Sequence, residues 1–218
     1  MFTGIVETLG EVIAFVPGSG AARLTIAAPQ IAGRLRTGDS VAVSGVCLTA
    51  LEIEPEALPP RFSADLATET IARTTLSRLG PGSLVNLELP TPAGAPLGGH
   101  VVQGHVDGVG TLVSLNPVKA GAGSDWVLRV LLPKALTRYV VEKGSIAVEG
   151  ISLTVAGIEG DEIWIAILPH TYAATNLHTL RPGMDVNIEV DVLAKYAESR
   201  QRTGKGELTV EYLLANGY

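Results

Sequence analysis

SVAVSGVCLT, residues 40–49, returns as SIAVEGISLT at residues 145–154. The likeness extends in both directions from these blocks. Upstream, Gly4, Val6 and Gly10 face Gly104, Val106 and Gly110, with acidic Glu7 opposite Asp107. Downstream, PGSLVNLE at 81–88 faces PGMDVNIE at 182–189. The offset stays at roughly a hundred residues and changes only between blocks, where loops absorb a gap. A repeat of this length is a duplicated domain, because each copy holds enough alternating apolar residues to close its own core, unlike the short units of a solenoid. The chain therefore divides into domains at 1–97 and 98–190 and a C-terminal segment at 191–218. The junction LPTPAGAPLGG at 89–99 is broken by prolines and glycines that sustain neither helix nor central strand, and reads as a linker.

Within the first copy, alternating stretches at 23–28, 40–43, 48–53 and 84–89 predict half-buried strands. Each copy has one helical interruption, ATETIARTTLSRLG at 67–80 and HTYAATNLHTLRPG at 170–183. Many short strands with a single helical break point to an all-β fold of two small closed barrels, since closure removes the exposed edges of a lone sheet. From 191 to 202, Val192, Leu193, Tyr196 and Ala197 fall at helical spacing, a single amphipathic helix with no counterpart after the first repeat. Its apolar stripe must be covered, and neighbouring chains are the favoured cover.

Bulk composition narrows the partners. The 218 residues are 46% apolar and 17% charged, a globular balance, and the net charge of −6 gives no footprint for nucleic acid or anionic membrane. One cysteine makes no intrachain disulfide. Neither an export leader nor an apolar stretch of the ~20 residues needed to span a bilayer is visible, so the cytoplasm is the expected compartment.

Candidate chemistry centres on the repeated blocks. Cys47 aligns with Ser152, so both copies place a small polar hydrogen beside Leu-Thr; a buried small hydrophobe is the plainer reading of such a cysteine. His100 and His105 flank Val-Val-Gln-Gly, and His105, directly after the repeated glycine, is the better proton carrier. His170 and His178 fall in the second helical segment, where capping or surface roles are usual. No metal-ligand pattern occurs, and nucleotide-binding, P-loop and hydrolase-elbow motifs are lacking. Asp191 serves equally as a helix N-cap, Lys143 as a solvated turn residue, and Ser40, Thr49 and Thr154 as ordinary strand residues.

The opening MFTGIVE, the GVCLT and GISLT blocks, the GGHVVQGHVD junction and the VNIEVD ending resemble, as a set spanning the whole chain, the riboflavin synthases of the α type. The resemblance implies a six-stranded Greek-key barrel for each repeat, and a homotrimer joined by C-terminal helices. It also implies active sites between the first barrel of one chain and the second of its neighbour. It implies a cofactor-free and metal-free dismutation of two 6,7-dimethyl-8-ribityllumazine molecules into riboflavin and 5-amino-6-(ribitylamino)uracil. Lumazine synthase is a further partner to test.

Carried over by position, substrate contacts fall at Gly4, Ile5, Val6, Cys47, Leu48, Thr49, Asp65, Leu66, Ala67, Thr68, Glu69 and Thr70 in the first barrel. In the second they fall at Gly104, His105, Val106, Lys143, Ser152, Leu153, Thr154, Ala166, Ile167, Leu168, Pro169, His170 and Thr171. Phe2, Ser40, Cys47, His105 and Asp191 match the residues tied to chemistry. Ser44 and Val46 stand at variable places, and His170 stands where the first repeat and some relatives have a glutamate, here Glu69. Identical pockets would treat both substrates alike, so Cys47 against Ser152 and Ile5 against His105 are expected to break the symmetry. On this reading Cys47 or Ser40 supplies or activates the group that adds to one ring, and His105 and Asp191 move protons on the other. A non-catalytic lumazine- or flavin-binding protein of the same fold is the competing expectation.

Overall fold

The computed structural model describes residues 1–18, 20–121 and 123–203, with side chains described through residue 200; the expected tail at 204–218 lies outside the described residues. The first repeat holds β1 (Thr8–Pro17), β2 (Ala21–Ala27), β3 (Ser40–Val43), β4 (Val46–Thr49), β5 (Leu51–Glu54), β6 (Arg61–Ala67), α1 (Thr68–Arg73) and β7 (Leu84–Glu88). The second holds β8 (Gly108–Pro117), β9 (Trp126–Leu131), α2 (Lys134–Thr137), β10 (Ser145–Val148), β11 (Ile151–Glu159), β12 (Glu162–Ile167), α3 (Pro169–Ala174) and β13 (Asp185–Val190), and α4 (Val192–Thr203) follows.

The second repeat is a closed six-stranded barrel in the order β10-β11-β12-β9-β8-β13, all pairs antiparallel. β9 pairs with its hairpin partner β8 on one side and with β12 on the other, and β13 returns between β8 and β10, which is Greek-key connectivity. The first repeat follows the same circuit, β4-β3-β7-β1-β2-β6-β5, but its counterpart of β11 is broken in two at Ala50, giving seven strand segments where six are expected. The two copies also differ at the bulge that follows. In β11 the register shifts between Val155 and Gly157, where the ring of Trp164 fills the space a side chain would need. The aligned first-repeat position is Glu52, held left-handed at φ 44° and pairing poorly with β6.

Each expected helix is a short α-helix followed by a 3-10 turn, at Thr75–Arg78 and Asn176–Thr179. Thr74 and Thr175, both extended, separate the two parts, and their hydroxyls bond back to the carbonyls of Thr70 and Thr171. α2 was not expected from the sequence.

Alternating strand residues fill two separate cores, one around Val12, Leu24, Phe62 and Leu87 and one around Leu112, Leu128, Ile165 and Ile188. A third, small cluster joins the repeats. Phe2 and Val102 bridge by backbone hydrogen bonds of 2.8 and 3.1 Å, and Phe2, fully buried, packs with Val102, Ala42 and Ala147. Burying that ring contributes about 1.5–3 kcal/mol.

Candidate functional site

The residues that precede each barrel are exchanged. The Gly4 carbonyl accepts a hydrogen bond from Ser152 N–H at 2.8 Å, and the Gly104 carbonyl accepts one from Cys47 N–H at 2.9 Å. Each N-terminal segment thus lies on the opposite barrel, correcting the expectation that Gly4, Ile5 and Val6 serve the first barrel and Gly104, His105 and Val106 the second. Both glycines are required. Gly4 (φ 75°) and Gly104 (φ 79°) are left-handed, and a Cβ on either would sit 2.6 Å from the Cβ of Ser152 or Cys47.

A buried carboxylate anchors each segment to its own barrel. Glu88, ending β7, accepts from Thr3 N–H (2.6 Å), Thr3 Oγ1 (2.8 Å) and Gly4 N–H (2.9 Å). Glu189, in β13, accepts from the backbone N–H groups of Gln103 (2.7 Å), Gly104 (2.9 Å) and His105 (3.0 Å). Burial raises both carboxyl pKa values, and these donors only partly counter it. The segments are therefore clamped from both sides, by a carboxylate behind and a strand backbone in front.

This exchange builds a cavity of about 410 Å³ on the first barrel, lined by Val46, Cys47, Glu69, Thr70, Arg73, Thr74, Gly104, His105, Val106 and Asp107. Six of the sequence-derived candidates meet there: Cys47, Glu69 and Thr70 from one repeat, and Gly104, His105 and Val106 from the other. Glu69 is engaged by Arg73 one helical turn on, at 2.6 Å. Asp65, on the exposed face of β6, is gripped by Arg23, whose hydrogen bond lowers the carboxyl pKa.

On the second barrel, Gly4, Ile5 and Val6 lie beside Ser152, and Ile5 and Leu168 are 51% and 64% exposed. Ser152 Oγ lies 2.7 Å from His100 Nδ1. Thr154 on β11, Ala166 on β12 and His170 in α3 are exposed, and Pro169 and Thr171, also in α3, are half-buried. Lys143 occupies a turn at φ 65°, the position where the first repeat has Gly38 at φ 96°.

Other candidates have different surroundings. Strand alternation turns the side chains of Leu48, Leu66, Leu153 and Ile167 into the cores, so only their backbones face the sites. Thr49, Ala67 and Thr68 are exposed. Phe2 has no exposed surface and backs Cys47 by packing. Ser40 lines a neighbouring groove of about 610 Å³ with Thr3, Ile5, Asp39 and Glu88, apart from the Cys47 cavity. Asp191 caps α4, its Oδ1 accepting from Leu193 N–H at 2.9 Å. The sequence reading missed Glu88, Glu189, Arg73 and Thr74; the glutamates were legible as the repeated end of VNLE and VNIE.

Among the described residues no three His, Cys, Asp or Glu side chains are grouped to hold a metal, and no helix is long and apolar enough to cross a membrane. α4 is tied to its own chain by Lys195 to Asp107 (2.6 Å) and Glu198 to Arg138 (3.2 Å), while Leu193 and Tyr196 are 66% and 65% exposed.

Comparison with known proteins matches the lumazine binding domain family twice, at residues 3–90 and 103–191. A riboflavin synthase of Mycobacterium tuberculosis (strain ATCC 25618 / H37Rv) is 46% identical over 207 residues, covering 93% of this chain and 99% of its own. One from Bacillus subtilis (strain 168) is 34% identical over 223 residues, covering 100% of both chains. Among solved structures, the crystal structure of LumP complexed with riboflavin aligns with a TM-score of 0.78 at 28% identity, over 87% of this chain and 99% of that one. LumP complexed with 6,7-dimethyl-8-(1'-D-ribityl) lumazine gives a TM-score of 0.76 at 27% identity over the same shares.

Proposed function

The chain belongs to the riboflavin synthases built on paired lumazine binding domains, and from that membership we propose that it converts two molecules of 6,7-dimethyl-8-ribityllumazine into riboflavin and 5-amino-6-(ribitylamino)uracil without a cofactor. The observation that carries this reading is the exchange of Gly4 and Gly104 between barrels, which gives one chain two sites of one design with different side chains in them.

The chemistry asks little of the protein. The 7-methyl group of a lumazine is acidic because its carbanion delocalises into the ring, so a modest base generates the nucleophile. The four-carbon unit of one ring is transferred to the other, so the main contribution is to hold two rings in reactive contact, an effect that reaches ~7–11 kcal/mol in well-oriented systems. Because Cys47 and His105 line one cavity, they act together at the first-barrel site and not on separate rings as expected, and Ser152 acts at the second. Asp191 acts through the start of α4, Ser40 from the adjoining groove, and Phe2 by fixing the wall behind Cys47.

The two rings meet when the first barrel of one chain faces the second barrel of another in a homotrimer. The exposed Leu193 and Tyr196 of α4 support such a neighbour contact. The reaction takes place in the cytoplasm, where the single thiol stays reduced.

The test is incubation of the purified protein with 6,7-dimethyl-8-ribityllumazine alone. Riboflavin fluorescence should appear catalytically, from a species that sediments at three times the chain mass. Saturable lumazine binding without riboflavin would mark a carrier and overturn the reading.

Lys143 offers a second check. Its left-handed backbone costs about 1–2 kcal/mol for an L residue, while glycine there would lose about 0.5–1 kcal/mol through its greater chain entropy. Lys143→Gly should therefore leave thermal stability unchanged or raise it by up to about 1 kcal/mol, while weakening lumazine affinity. Unchanged affinity in a calorimetric titration would remove Lys143 from the site.

A further inference from the structure

His100 stands four residues ahead of Gly104, just before the segment that mirrors Gly4. Its ring is buried, with Nδ1 2.7 Å from Ser152 Oγ and Nε2 enclosed without a hydrogen-bond partner. Burial lowers its pKa, and the nearby negative charge of Asp191 opposes this only in part, so the ring is neutral. A neutral imidazole carries one N–H, and orphaned buried N–H groups are rarer than orphaned acceptors. The proton therefore belongs on Nδ1, where it is used, and Nε2 is left as a bare lone pair. Nδ1–H then donates to Ser152 Oγ, and the serine's own O–H must find its acceptor elsewhere.

From this geometry we infer that His100 is a positioning residue: it occupies the acceptor side of Ser152 and commits the hydroxyl to donate to a ring oxygen or nitrogen of a heterocycle bound at the second-barrel site. This rests on the reading that Ser152, like Cys47, borders a lumazine site. The two sites then differ in kind. The Cys47 cavity has a thiol and the exposed His105, whereas the Ser152 site has a directed hydroxyl donor backed by a buried neutral histidine.

The test is a double-mutant cycle on the full-length assembled protein, with His100→Leu, His100→Asn and Ser152→Ala. His100→Leu should lower kcat about tenfold, the worth of one directed hydrogen bond. His100→Asn, whose amide N–H reaches near the Nδ1 position, should recover most of it. In a Ser152→Ala background His100→Leu should cost nothing further. A penalty of the same size with and without the Ser152 hydroxyl, or an asparagine no better than leucine, would overturn the inference and leave His100 as packing.

The same cycle is run on equilibrium binding of 6,7-dimethyl-8-ribityllumazine, read by its fluorescence. If wild type binds but does not turn over, the proposed reaction fails, while coupling between His100 and Ser152 in affinity still supports the positioning role. Absence of coupling in affinity as well overturns it.

Discussion

Alanine at Gly104 empties the Cys47 cavity, and alanine at Gly4 empties the Ser152 site in the other barrel. That is the expected result if the exchanged segments form the sites. Either Cβ meets a strand at 2.6 Å, too close for any real contact, and its nearest neighbours include backbone nitrogen at 2.7–2.8 Å, which cannot swing aside. The left-handed backbone adds about 1–2 kcal/mol, and lifting the segment breaks one strand-to-carbonyl hydrogen bond worth about 1 kcal/mol. A combined cost of about 2–3 kcal/mol corresponds to roughly a hundredfold loss of affinity at the affected site. Turnover needs both rings, so each variant should lose at least as much in kcat/KM. Each should still bind lumazine at its other site. Cys47, the sole cysteine, identifies which site survives. Lumazine should protect Cys47 from alkylation in Gly4→Ala and fail to protect it in Gly104→Ala. The reverse pattern of protection would mean that each segment serves its own barrel, and the site described here would be wrong.

The repeat made the barrels legible, because period-two alternation and turn residues are local properties that each copy states twice. It brought Cys47 and Ser152 to equivalent places for the same reason. The exchange was illegible. Sequence alignment shows that Gly4 and Gly104 are equivalent, but both arrangements, each segment on its own barrel or on the other, satisfy that equivalence. Only the Phe2–Val102 bridge and the carbonyl contacts decide it. Contiguous motifs also brought in too many side chains. Leu48, Leu66, Leu153 and Ile167 could have been recognised as inward-facing from the alternation alone. His100 was visible as a histidine flanking Val-Val-Gln-Gly, but its partner was not, because the pairing with Ser152 spans 52 positions of sequence.

Where the two barrels meet, a single proton sets part of the stability. Gly45 and Gly150 abut there, a Cβ on Gly150 falling 2.5 Å from the Gly45 nitrogen at φ 76°, so Gly150→Ala should cost about 3 kcal/mol or more and loosen the seam. Beside them Glu149 is buried, held by Asn187 N–H (2.7 Å), Asn176 Nδ2 (3.0 Å) and the Ser44 hydroxyl, with no cation among these partners. Neutral donors compensate a buried charge poorly, and burial therefore raises the Glu149 pKa. The folded protein holds this proton more tightly than the unfolded chain. Stability contributed by Glu149 is thus complete at acid pH, falls as pH rises from about 4.5, the unfolded carboxyl value, and levels off above the folded one. Glu149→Gln removes that dependence. The amide can still accept from Asn187 N–H, but it leaves Asn176 Nδ2 without an acceptor, a cost of about 1 kcal/mol that is independent of pH. The variant should therefore be less stable than wild type at pH 4 and gain on it steadily toward pH 8. Taking the difference between the two proteins cancels Glu88, Glu189, Asp65 and His100, whose own shifts are common to both. Urea unfolding at a series of pH values reads this difference directly. A difference that stays flat from pH 4 to pH 8 would show that Glu149 titrates alike in folded and unfolded chains, and that its burial carries no electrostatic cost.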